Sequence, residues 1–246
     1  MTAVPQNVPQ QASQPIEPPP STLTKPPRPV PQPDCDRATI FAFPPNREIL
    51  GGTAYCILSD QGNILIDCPA WTPATETWLA DRGGVRWLVL THRDGIAKVR
   101  EIQASTRCEI IIQEQEAYLL PNLTVTTFHD RFQLNPDTEI LWTCGYSPGA
   151  SCIYTTAQGG VLFTGRHILP DRTGHPTPLR ISKTFHWKRQ LKNVQTLRDR
   201  FTSDTLKWIC PGANTGYLRG ATAMDDAYTK LGTLNLEILQ NTALGV

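Results

Sequence analysis

From residue 38 onward the chain alternates short β-rich runs with stretches of helical periodicity, and no run is longer than one strand of a small sheet needs. Runs at 38–43, 53–58 and 63–67 come first, the last two joined into a hairpin by the Asp60-Gln61-Gly62-Asn63 turn. Thr72 and Pro73 then offer an N-cap and a first-turn proline to a helix that carries Trp78 and Leu79 and stops at Gly83-Gly84. Further strands are expected at 86–90, 108–112, 123–128, 139–142, 152–156, 161–164 and 206–210. Helices are expected at 96–104 and in the 187–201 stretch, where Trp187, Leu191, Val194 and Phe201 share a face. A last helix should bury Met224, Ala227, Tyr228, Leu231, Leu234 and Ile238. This order calls for two sheets packed face to face with helices outside.

Half of the 22 prolines fall between Pro5 and Pro33, in a stretch with hardly any large apolar residue. Residues 1–34 are therefore expected to be a disordered Pro/Gln-rich tail ahead of one domain at 35–246. Within the tail, Pro26-Pro27-Arg28-Pro29-Val30-Pro31 reads as a plain spacer or as a ligand for an SH3-like module. No apolar run approaches the roughly 20 residues of a membrane span, and the Met1 end lacks a basic patch leading into an apolar core. The 7 cysteines are an odd, scattered set without a C-x-x-C pair, which reads as buried thiols in a reducing compartment and hence a cytoplasmic protein.

Five segments that follow strands carry the strongest signal: Asn63-Ile64-Leu65-Ile66-Asp67; Leu88-Val89-Leu90-Thr91-His92-Arg93-Asp94-Gly95; Gly145-Tyr146-Ser147-Pro148-Gly149-Ala150-Ser151; Leu162-Phe163-Thr164-Gly165-Arg166; and Ile209-Cys210-Pro211-Gly212-Ala213. In this order and spacing they resemble the metallo-β-lactamase-fold superfamily, which includes glyoxalase II and other metal-dependent hydrolases. The resemblance covers 38–215 and implies a four-layer αββα sandwich of the α+β class. It also implies a cleft in which histidines and a bridging aspartate hold two divalent ions.

The resemblance places Tyr146, Arg166 and Ala213 where the family has a histidine, the bridging aspartate and a last histidine. In the second segment His92 keeps its place, while the later ligand positions are not filled in either of two registers. A guanidinium at the bridging position repels cations. The expected result is a relic cleft of Asp67, His92, Asp94, Tyr146, Arg166 and Ala213, with no metal, no cofactor and no catalytic residue. The implied function is a pseudoenzyme that binds an unknown protein or an anionic small ligand, with Arg93, Lys98, Arg166 and His167 as anion-binding candidates. One alternative is a glyoxalase II-like thioesterase holding one zinc through Asp67, His92, Asp94, Cys144 and His167. Another is a nucleic-acid-binding module using 165–201, where nine basic residues face two acidic ones.

Overall fold

In the computed structural model, residues 25–30 and 39–241 are described. The first sheet runs β1 (Arg28–Pro29), β2 (Ile40–Ala42), β3 (Tyr55–Ile57), β4 (Ile64–Ile66), β5 (Trp87–Leu90), β6 (Glu109–Gln113) and β7 (Val125–Phe128), in that spatial order. Its first four strands pair antiparallel, β3 and β4 through the expected hairpin, and β4 to β7 pair in parallel. Parallel neighbours need crossovers, and two of these hold α1 (Pro73–Ala80) and α2 (Val99–Thr106). β8 (Arg131–Asn135), β9 (Thr138–Trp142), β10 (Ser151–Thr155) and β11 (Val161–Gly165) follow, then a ribbon of β12 (Leu169–Pro170) and β13 (Pro176–Thr177). After α3 (Trp187–Arg200) comes β14 (Trp208–Pro211), which completes a second sheet in the order β14-β11-β10-β9-β8.

Period-two side-chain alternation divides the apolar residues into three layers. Ile64 and Ile66 point between the sheets, with Val89, Ile111, Ile140, Ile153 and Phe163. Leu65 points the other way, with Leu88 and Ile110, against Leu79 of α1 and Ile102 of α2. On the far side, Cys152 and Leu162 of the second sheet meet Val194 and Leu197 of α3. Each fully buried Leu or Ile contributes about 1.5–3 kcal/mol. Six cysteines, Cys56, Cys68, Cys108, Cys144, Cys152 and Cys210, are buried and unbonded. Among the described residues no helix is long and apolar enough to cross a membrane.

Four expectations need correction. The tail expected through residue 34 is docked at 25–30: β1 pairs with β2, Val30 is 1% exposed, and Arg28 Nη1 and Thr222 Oγ1 donate to Gly220 O and Pro29 O. A proline is compatible with this place because an edge strand leaves one row of N–H groups unused. The remainder of 1–34 lies outside the described residues. The helix expected at 96–104 starts instead at Val99, since Lys98 is left-handed at φ 43°. The single last helix is two, α4 (Ala227–Gly232) and α5 (Leu236–Gln240). Asn235 caps the second through Ile238 N–H, so Tyr228 and Ile238 turn outward, 38% and 68% exposed. β8 was not anticipated at all.

Candidate functional site

The C-terminal ends of β4, β5, β11 and β14 and the start of β10 open at one end of the sandwich, and the five segments meet there. Asp67 leaves β4 in a left-handed conformation, φ 56°, and turns its carboxylate under the end of β5. Thr91 N–H and Thr91 Oγ1 donate to its two oxygens at 2.8 and 2.7 Å. The Thr91 hydroxyl proton is thereby committed, so the 2.6 Å contact between Thr91 Oγ1 and His92 Nδ1 is a bond donated by the imidazole. That fixes the tautomer and leaves His92 Nε2 a buried acceptor without a partner. Burial, then the Arg166 charge, holds the imidazole down at about 3, while burial lifts Asp67 to about 6 despite the Thr91 bonds. The 3.9 Å approach of His92 to Asp67 is therefore not an ion pair at neutral pH. Two glycines let these loops approach: a Cβ on Gly95 would sit 2.5 Å from Asp67 Oδ1. One on Gly165, at φ 49°, would sit 2.5 Å from Thr91 Oγ1.

Tyr146 fills the space above. It is 2% exposed, stands edge-on to His92 with centroids 5.3 Å apart, and its hydroxyl donates to Asp94 Oδ2 at 2.5 Å. Lys183 Nζ approaches Asp94 Oδ1 at 3.6 Å. Partial burial pushes the Asp94 carboxyl's pKa upward, but the Tyr146 bond and the Lys183 charge outweigh it and hold the carboxyl below its usual range. The 183–186 strand of chain is strapped across the opening: Phe185 N–H and His186 N–H donate to Tyr146 O and Gly145 O, and Arg93 Nη2 donates to Lys183 O. Arg166 does not pair with a carboxylate. Its Nη2 donates to the carbonyls of Ile49 and Leu50 at 3.1 and 2.9 Å, and its Nε is buried without a partner. Arg166, expected as an anion-binding candidate, is thus committed to backbone carbonyls. Its nearest acceptors are backbone, and its charge reaches the two carboxylates only at longer range.

No protein-family profile and no curated protein matches this chain. Solved structures do. A metallo-β-lactamase from Pontibacter korlensis matches at TM-score 0.61 and 17% identity, covering 85% of this chain and 98% of its own. An archaeal metallo-β-lactamase superfamily protein, ST1585 from Sulfolobus tokodaii, matches at 0.57 and 11%, covering 84% and 88%. TTHA1623, solved in a di-iron-bound form, matches at 0.55 and 18%, covering 74% and 91%. The fold is that of the metallo-β-lactamase superfamily. The metal that this fold implies does not suit the residues present. The positions that the sequence resemblance assigns to metal ligands hold a phenol tied to Asp94, a guanidinium and the buried methyl of Ala213 beside one histidine. Among the described residues, no group of three or more His, Cys, Asp or Glu side chains could hold an ion, so the alternative set of Asp67, His92, Asp94, Cys144 and His167 is not assembled.

The anion-binding candidates do not converge either. Lys98 pairs with Glu48 at 3.4 Å, Arg93 serves Lys183 O, and His167 is 1% exposed with neither ring nitrogen bonded. In the basic 165–201 stretch, Arg198 donates to the carbonyls of Leu234 and Gly232 and Arg200 pairs with Glu139. Sequence reasoning missed Glu116, which sits 1% exposed on a 3-10 turn after β6 and accepts from Gly149 N–H at 3.1 Å. It thereby braces the loop that presents Tyr146, with burial pushing its carboxyl up. Its neighbours Glu114 and Gln115 read as a polar turn, so no sequence signal marks it. Replacing Tyr146 by phenylalanine keeps the packing and removes only the bond to Asp94. A loss of about 1–3 kcal/mol is expected from urea midpoints, and an unchanged midpoint would mean that water and Lys183 serve Asp94 equally well.

Proposed function

We propose that this chain is a metallo-β-lactamase-fold pseudoenzyme that acts by binding, as a scaffold, and not by metal-dependent hydrolysis. The observation that carries the reading is Tyr146, buried at a ligand position with its hydroxyl bonded to Asp94, while Arg166 at the bridging position is anchored to the 49–50 backbone. A cation entering here must displace a packed ring and approach a guanidinium. A protein partner suits the surface better than a small anion, because Arg93, Lys98 and Arg166 are engaged elsewhere and His167 is buried. Three exposed large side chains also follow from cleft contacts. Leu50 is 56% exposed beside the Arg166 anchor, Phe185 is 50% exposed on the strap, and Tyr118 is 73% exposed two residues from Glu116. The buried, unbonded thiols support a reducing, cytoplasmic setting.

Elemental analysis of protein purified without chelator, together with a thioester hydrolysis assay, tests this. The expected outcome is no stoichiometric zinc, manganese or iron and no turnover above background. One equivalent of a transition metal that disappears in His92→Ala, accompanied by thioester turnover, overturns the proposal in favour of a single-metal hydrolase.

A further inference from the structure

A cavity of about 620 Å³ lies at the opposite end of the sandwich from the Tyr146 cleft. Its lining includes Asn63 and Gly83, before β4 and β5, and Asn135, Thr138 and Thr155, at the ends of β8, β9 and β10 that turn away from the cleft. Two features make it more than a surface dent. On its floor, Asn135 is nine-tenths buried, and its Oδ1 accepts from Asp137 N–H at 3.0 Å, which fixes the amide orientation. Among the described residues the Nδ2 end has no hydrogen-bond partner. Beside it, Thr155 Oγ1 is 1% exposed as a residue and already accepts from Thr138 Oγ1 and Ala157 N–H, so its own proton remains to be donated. The register shift between Gln133 and Asn135 marks a bulge in this edge strand, the kind of irregularity that re-aims a side chain.

The rim has a different chemistry. Asp60, Asp81 and Asp137 are exposed and border the cavity, and none forms an ion pair among the described residues. The one basic lining residue, Arg82, is turned onto α1, with its guanidinium 4.1 Å from the Trp78 ring and Nη1 donating to Trp78 O. A ligand that suits both levels offers neutral acceptors to the Asn135 amide and the Thr155 hydroxyl and a positive charge to the rim. Simple diamines lack the acceptors and carboxylates carry the wrong charge. We infer that this cavity is a binding site for a hydroxylated organic cation, of the amino-sugar or amino-alcohol class. It is independent of the proposed scaffold role, since no residue is shared with the Tyr146 cleft.

Glucosamine is the probe, titrated into full-length protein labelled with nitrogen-15 while the Asn135 side-chain amide is followed by NMR. A saturable shift of that amide is expected, weakening as salt is raised because the rim charges are exposed. N-acetylglucosamine, which lacks the charge, and putrescine, which lacks the hydroxyls, should each bind at least about tenfold more weakly. Asp81→Asn and Asp137→Asn, at exposed positions, should weaken glucosamine without moving the urea midpoint. The assignment is overturned if the Asn135 amide does not shift saturably, or if either control binds as tightly as glucosamine.

Discussion

Acidifying the protein from pH 7 to pH 4 is expected to cost about 4 kcal/mol of folding stability, and removing His167 should abolish roughly half of the unfavourable part. His92 and His167 are buried and neutral, each held down at about 3, against an unfolded value of about 6.5. A histidine depressed in this way contributes stability above its unfolded value and loses it as pH falls toward its folded one. By pH 4 each has lost about 3 kcal/mol. Asp67 runs the other way. Its carboxyl is raised to about 6, so its contribution is complete below about pH 4 and lost as pH rises through 6, which returns about 2 kcal/mol on acidification. Denaturant midpoints at pH 7, 5 and 4 for wild type and His167→Leu measure the balance. Parallel pH profiles for the two proteins would show that His167 is not titrating across this range.

Deleting residues 1–34 should lower the thermal midpoint by about 6–12 °C, corresponding to about 3 kcal/mol at this size. The truncation removes β1, exposes the apolar surface that Val30 covers, and leaves Thr222 Oγ1 and Gly220 O without the chain they bond. Val30→Asp, which keeps the chain but buries a charge at a 1% exposed position, should produce most of the same loss. A shift under about 2 °C for both variants would mean that the 25–30 strap contributes nothing beyond contact.

How much of this was legible beforehand depends on where the information resides. Period-two runs such as Ile64-Leu65-Ile66, and turn chemistry such as Thr72-Pro73, are local signals, and the strands and α1 they announce are where the pattern puts them. β1 was hidden because a proline-rich run has the composition of a tail, and its docking depends on Val30 reaching a core 10 residues away along the chain at Ile40. β8 was hidden because Phe132 and Leu134 alternate with Arg131 and Gln133 over too few residues to stand out. At the cleft, the segments announced a meeting of Asp67, His92, Asp94 and Tyr146, and contacts join these four. The destination of Arg166 could not be read from them, since its acceptors are carbonyls and every residue has one. His167 shows the same limit: its basic neighbours suggested an exposed anion ligand, whereas β11 and α3 enclose it, with Gln190 Nε2 donating to its carbonyl.

A metal ion joining loops is a cross-link that the surroundings can withdraw, because its occupancy follows the free concentration of the ion and the protonation of its ligands. The Tyr146 hydroxyl on Asp94 and the Arg166 guanidinium on the 49–50 carbonyls join the same loops with groups that are covalently part of the chain. Their local concentration is fixed at synthesis. On the proposed reading this cleft is assembled once, during folding, and its shape is insensitive to chelators, to metal starvation and to competition among ions of similar size.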